Sequence, residues 1–247
     1  MSQERRAKSV PMRTLIPNMI TCGNMLSGML SLVLTFHGHF VPASWLIFFA
    51  VFFDFMDGKM ARKLGGSSSF GVELDSLADL VSFGVAPAMI TYSVYLKGFF
   101  GVTGAIVAAF FALCGALRLA RFNVHHVDGS FQGLPIPAGG HFLVSFVVAG
   151  IQLPPFLMTV LVAATGFLMI SSIPFGNLKA LKPHNLNRHK AVFMWASAFM
   201  LIAVLRNKAP LAGMLIYIVS GFAGVDWGKW LSLEDAVDEE DLLEKDA

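Results

Sequence analysis

The sequence predicts an all-α protein, built as a polytopic bundle of about eight membrane-spanning helices. Three observations carry that prediction. Of its 247 residues, 55% are hydrophobic and only 14% are charged, whereas a soluble domain of this length carries ~25% charged residues. Apolar runs near the ~20 residues needed to cross a bilayer recur along most of the chain. The charges are also segregated into short stretches, so the formal net charge of +2 describes no single surface.

Residues 1–15 form a basic arm containing Arg5, Arg6, Lys8 and Arg13. The first apolar segment is too long for a leader peptide and lacks a small-residue cleavage pattern, so no cleavable leader is expected. Spans are expected at 16–36, 43–63, 72–96, 100–122, 137–152, 155–174, 190–205 and 209–226, from hydropathy and turn signals. Pro42, Pro135, Pro137, Pro154, Pro155 and Pro183 punctuate the connections. Gly65-Gly66-Ser67-Ser68-Ser69 joins the second and third spans. Residues 16–226 thus read as one membrane domain, and 227–247 as an acidic, solvated tail. Cys22 and Cys114 lie in apolar segments without a C-x-x-C partner and read as small core residues, not a disulfide.

Eight spans put both termini on one side. With the N-terminus inside, 15 of the Lys and Arg residues fall on the inner side and three, Lys97, Arg206 and Lys208, fall outside. This asymmetry predicts cytoplasmic termini. It also sets the chemistry described next at the cytoplasmic ends of spans two and three.

Asp54, Asp57, Asp75 and Asp79 all lie within membrane-length apolar sequence. Charge at that depth is costly and persists mostly for function. Residues three or four apart share a helix face, so Asp54 and Asp57 project together from span two, and Asp75 and Asp79 from span three. The Gly/Ser linker folds the two spans into an antiparallel pair, and two carboxylates from each helix can then converge. Converging carboxylates repel one another unless cations lie between them. All-oxygen ligands favour Mg²⁺ or Mn²⁺, with Ca²⁺ a further candidate occupant. Gly58 lets a ligand approach the backbone. Arg62, roughly 12 Å along the axis from Asp54 at the standard rise, can grip a phosphate at the water-facing edge. Ser68 and Gly71 line the linker side. Metals and Arg beside a bilayer suit a substrate that is half nucleotide diphosphate and half lipid.

The pattern D-x-x-D-G-x-x-A-R-x8-G-x3-D-x3-D, running from Asp54 to Asp79, resembles the signature of the CDP-alcohol phosphotransferase family. That resemblance implies a core of six membrane helices, here with an additional pair. It implies displacement of CMP from a CDP-linked lipid by an alcohol. It further implies two metals held by Asp54, Asp57, Asp75 and Asp79, with Asp79 also the general base. Gly58, Arg62 and Ser68 would hold the nucleotide and diphosphate. Asn18 and Thr21 resemble family positions near the cytidine, but they also read as helix-start and interhelical hydrogen-bonding residues.

Three further segments, 82–88, 116–123 and 133–139, resemble the membrane-integral, serine-using branch, phosphatidylserine synthase. The implied substrates are L-serine and CDP-diacylglycerol or its archaeal counterpart CDP-archaeol. Nothing points to nucleic acid, and the family resemblance leaves a homodimer open. Serine brings a carboxylate, and Arg suits bidentate carboxylate recognition. Arg118 and Arg121 flank one face at the inner end of span four, with Asn123 close by. The same arginines equally suit inner-face topology or lipid headgroups. His125, His126 and Asp128 read as an exposed polar loop or a further metal site. Lys179, Lys182, Arg188, His189 and Lys190 read as a headgroup-facing loop. Two same-fold alternatives use glycerol 3-phosphate or inositol phosphate as acceptor. A divalent-cation transporter would explain the carboxylates but not Gly58 and Arg62. A lipid-binding scaffold would leave four metal-type ligands without a role.

Overall fold

The computed structural model describes residues 12–65, 68–98, 101–124, 133–173, 175, 187–225 and 230–231. Residues 1–11, Gly66, Ser67, His125, His126, Asp128, Lys179, Lys182 and the tail from 232 onward lie outside the described residues.

Every described element is helical. α1 (Met12–Phe36) and α2 (Phe40–Leu64) form an extensively packed pair joined by a short turn at His37–His39. α2 ends at Gly65, whose φ of 60° lets its N–H cap the Ala61 carbonyl, a left-handed position that glycine occupies without strain. Ser68 then opens α3 (Ser69–Asp79) as an N-cap, accepting a 3.0 Å bond from the Gly71 N–H.

The third segment is not a uniform helix. A π-helical turn, Leu80–Val85, separates α3 from α4 (Ala86–Thr91), and a second π turn, Tyr92–Leu96, follows. Pro87 has no N–H to offer the carbonyl four residues back, at Phe83, which favours a widened turn there. α5 (Thr103–Val124) packs on α7 (Pro155–Ile170) and on the first π turn. α8 (Arg188–Leu205) and α9 (Ala209–Phe222) are divided by a turn at Arg206–Lys208, where Arg206 takes a φ of 47°.

α6 (Ile136–Val148) is the centre of the bundle. Eleven of its 13 residues are buried, against α2, α4, α9 and the first π turn. Lipid tails are as apolar as Leu, so close approach rather than hydrophobicity drives helix association in a bilayer. Gly140 supplies that approach, since a Cβ there would lie 3.1 Å from Phe83 Cα. Phe83, Phe111, Ile136, Leu143 and Met158 fill the interior. α8 has no buried residue and presents Phe193, Trp195, Phe199 and Met200 outward.

The fold class matches the expectation: an all-α membrane bundle. Length divides its helices. Among the described residues, five segments are long and apolar enough to cross a membrane: Thr14–Phe36, Phe40–Leu64, Ser69–Leu96, Thr103–Val124 and the run Arg188–Phe222. α6 and α7 are shorter apolar helices. At the standard rise, the 13 residues of α6 reach only about 20 Å, against a hydrocarbon core of about 30 Å. Cys22 is exposed, Cys114 is buried, and both are free thiols.

Candidate active site

The site is built where α1, α2 and α3 meet. Asp54 and Asp57 project from α2 and Asp75 from α3, and one carboxylate oxygen from each lies within 4.8 Å of the others. Two oxygens bound to a common hard cation at 2.0–2.6 Å can stand up to ~5 Å apart, so this spacing fits a divalent ion. The chemistry of the set also fits, because all three donors are carboxylates. Asp57 is buried, and Asp54 and Asp75 are partly buried.

Asp79 lies one turn deeper in α3. It is buried and within electrostatic reach of Asp54, Asp75 and Asp57. Its Oδ1 accepts a 3.0 Å hydrogen bond from Asn24 Nδ2. The four aspartates therefore form a cluster of three plus a deeper fourth that a neighbouring amide orients.

An open cleft with about 400 Å³ of empty space runs beside the cluster. Its walls include Asn18, Thr21, Asp57, Gly58, Ser68, Gly71 and Asp75. This brings together residues that the sequence scattered over three helices. Gly71 keeps the cleft open, since a Cβ there would press to 3.0 Å from Asn18 Oδ1 and 3.3 Å from Ser68 Oγ. Over Gly58, a Cβ would stand 3.6 Å from an Arg62 guanidinium nitrogen. Arg62 thus reaches back along α2 toward the glycine while staying exposed.

Two expected residues have additional partners. The Thr21 hydroxyl donates to Asp57 Oδ2 at 2.7 Å, so Thr21 orients an acid as well as lining the cleft. Ser68 caps α3 by accepting from the Gly71 N–H, and both residues line the cleft.

The three residues expected to hold serine do not stay together. Arg118 is buried, within electrostatic reach of Asp79 and of Tyr217 on α9. Arg121 is exposed. Residues three apart differ by roughly 60° around a helix, enough here to send one inward and the other to the surface. Asn123 is drawn to α3, donating to Ser76 Oγ at 3.0 Å and to Glu73 Oε2 at 3.4 Å.

Asn24 escaped the sequence reading. A signal was present: Asn18, Thr21, Asn24, Ser31 and Thr35 recur at helical spacing as a polar stripe on α1, and a polar stripe inside a membrane helix needs partners.

Comparison with known proteins gives the family. Residues 14–224 match the family described as CDP-alcohol phosphatidyltransferase. A Bacillus subtilis protein named CDP-diacylglycerol–serine O-phosphatidyltransferase is 40% identical over 174 residues, 69% of this chain and 95% of the relative. A Helicobacter pylori protein of the same name is 36% identical over 216 residues, 84% of this chain and 89% of the relative. The archaetidylserine synthase of Methanothermobacter thermautotrophicus is 39% identical over 163 residues, 65% of this chain and 69% of the relative. A family match over residues 14–224, aspartate cluster included, establishes that this chain belongs to the CDP-alcohol phosphatidyltransferase family.

Proposed function

We propose that this protein is a membrane enzyme of phospholipid biosynthesis that transfers the phosphatidyl or archaetidyl group of a CDP-activated lipid to the hydroxyl of L-serine, releasing CMP. The observation that carries the reading is the acidic cluster on the wall of a polar cleft, in an apolar bundle. Relatives named for serine transfer support the acceptor. The names of bacterial and archaeal relatives support both tail types, diacyl and ether-linked.

Asp54, Asp57 and Asp75 would hold divalent metal, and Asp79 completes the four carboxylates for a pair of Mg²⁺ or Mn²⁺ ions. When bound, such ions neutralise the diphosphate and stabilise the departing CMP. The remaining tasks fall to the chain itself. Asn18, Thr21, Gly58, Ser68 and Gly71 form the walls for the nucleotide and diphosphate. Arg62 reaches the diphosphate from the cleft rim. Asp79 takes the proton of the serine hydroxyl as that oxygen bonds to the lipid-side phosphorus and the bond from phosphorus to CMP breaks. Direct attack of this kind inverts the phosphorus. Arg118, buried toward Asp79, pairs with the serine carboxylate. Arg121, exposed at the end of α5, serves the inner headgroup layer instead.

The topology proposed with this reading has eight crossings, cytoplasmic termini and a cytoplasm-facing site in the cell membrane. The distribution of Lys and Arg supports it. The test is an acceptor panel: purified protein in nanodiscs with CDP-lipid and Mn²⁺ or Mg²⁺, offered serine, glycerol 3-phosphate or inositol phosphate. CMP release with serine alone supports the reading. Equal or greater release with either phosphorylated alcohol overturns serine as the acceptor.

A further inference from the structure

We infer that Asn24 is a positioning residue for the reaction, holding the Asp79 carboxylate so that one oxygen faces the acceptor hydroxyl. This inference rests on the proposed role of Asp79 as general base.

Asn24 is fully buried in α1. Its Nδ2 donates to Asp79 Oδ1 at 3.0 Å. Its own carbonyl oxygen, Oδ1, is buried and has no hydrogen-bond partner among the described residues. A buried asparagine kept only for helix packing would satisfy both ends of its amide, since leaving a buried acceptor unsatisfied is costly. Turning the amide over would direct its oxygen at the Asp79 carboxylate, acceptor against acceptor. The orientation is therefore dictated by Asp79, and the unsatisfied Oδ1 follows from committing the donor to that carboxylate.

The backbone around this contact is clamped as well. The Ser82 hydroxyl donates to the Asn24 carbonyl at 2.9 Å. Gly28, one turn beyond Asn24, lets Ser82 approach so closely that a Cβ would fall 2.7 Å from Ser82 Cα. Ser82 belongs to the π turn that begins just after Asp79. Asn24 and Gly28 of α1 thus grip Asp79 and Ser82 across one helix interface, holding both the side chain of the base and the turn that follows it. Asn24 fixes Oδ1, whose second lone pair would still serve a metal, and Oδ2 is left to accept the proton. Positioning of this kind acts on the chemical step, where a small misplacement costs rate more than binding.

The test is a double-mutant cycle on the full-length protein in nanodiscs, using Asn24→Ala, Asp79→Asn and the pair. Turnover is read as serine-dependent CMP release, and CDP-lipid affinity is read separately by direct binding. Asn24→Ala is expected to lower kcat by ~10- to 100-fold, part of the 10²- to 10⁴-fold a general base supplies, with CDP-lipid affinity within about threefold. The pair is expected to turn over no more slowly than Asp79→Asn alone, because residues acting as a unit are non-additive. Multiplying effects in the pair, or an equal loss of CDP-lipid binding in Asn24→Ala, would overturn the inference and leave Asp79 as the base. Near-normal turnover in Asp79→Asn would instead overturn the base assignment, and the inference with it. Asn24→Leu is the second variant, close in size but without the donor. It should lose at least as much kcat as Asn24→Ala, and wild-type kcat in Asn24→Leu would also overturn the inference.

Discussion

The Thr21 hydroxyl donates to Asp57 Oδ2 at 2.7 Å, across the interface between α1 and α2. A helix that carries none of the four aspartates therefore orients one of them, and through Asn24 it orients a second. Partners that fix the orientation of a carboxylate ligand tune metal affinity without touching the metal.

Thr21→Val keeps the β-branched shape and removes the hydroxyl. The Mn²⁺ or Mg²⁺ concentration giving half-maximal CMP release should rise by ~10-fold or more, the scale of losing an outer-shell partner, with little change in thermal stability. A metal titration of the variant checks this, and an unchanged midpoint would show that Asp57 needs no help from α1.

Asp54→Asn and Asp75→Asn each remove one charge from the three-carboxylate cluster while keeping its shape. Both should lose most activity and Mn²⁺ affinity while inserting and purifying normally. Binding measured by calorimetry, beside turnover, separates lost metal from lost fold. Near-wild-type turnover in both variants would rule out the cluster as a metal site.

Much of this site was legible in sequence because its logic is helical. Asp54 with Asp57, and Asp75 with Asp79, share faces at fixed spacing, and the short linker between α2 and α3 brings the pairs together. Gly58, Gly71 and Asn18, each singled out by the sequence, line the cleft. What escaped depends on tertiary neighbours. The partner of Asn24 is 55 residues away, and no local pattern announces it. The π turn at Leu80–Val85 is a backbone adjustment around Pro87 inside an otherwise regular apolar run. The divergence of Arg118 from Arg121 turns on which side of α5 faces Asp79 and Tyr217. Hydropathy likewise marks α6 as apolar but does not show that it is a short helix of 13 residues at the centre of the bundle.

Arg118→Ala should raise the apparent serine KM by ~10-fold or more, the usual scale for losing a hydrogen-bonded charge, whereas Arg121→Ala should stay within about threefold. Serine titrations at saturating CDP-lipid decide between them. A larger KM effect at the exposed Arg121 than at the buried Arg118 would reverse the assignment.

Gly28→Ala forces a Cβ to within 2.5 Å of Ser82 Oγ and 2.7 Å of Ser82 Cα. Overpacking of this kind costs about 1–3 kcal/mol. It should lower the unfolding midpoint and reduce kcat together, because the displaced turn directly follows Asp79. Thermal unfolding in nanodiscs is the check, and a variant as stable and active as wild type would show that the α1 contact with the π turn is dispensable.

The most direct test of the central claim is product stoichiometry in the purified protein, supplied with CDP-lipid, divalent metal and isotopically labelled L-serine. One labelled serine should enter the lipid phase for each CMP released, with neither product formed when serine or metal is withheld or when Asp57→Asn replaces wild type. CMP released without serine entering lipid, or labelled lipid formed equally well by Asp57→Asn, would contradict the assignment of serine transfer to this aspartate cluster.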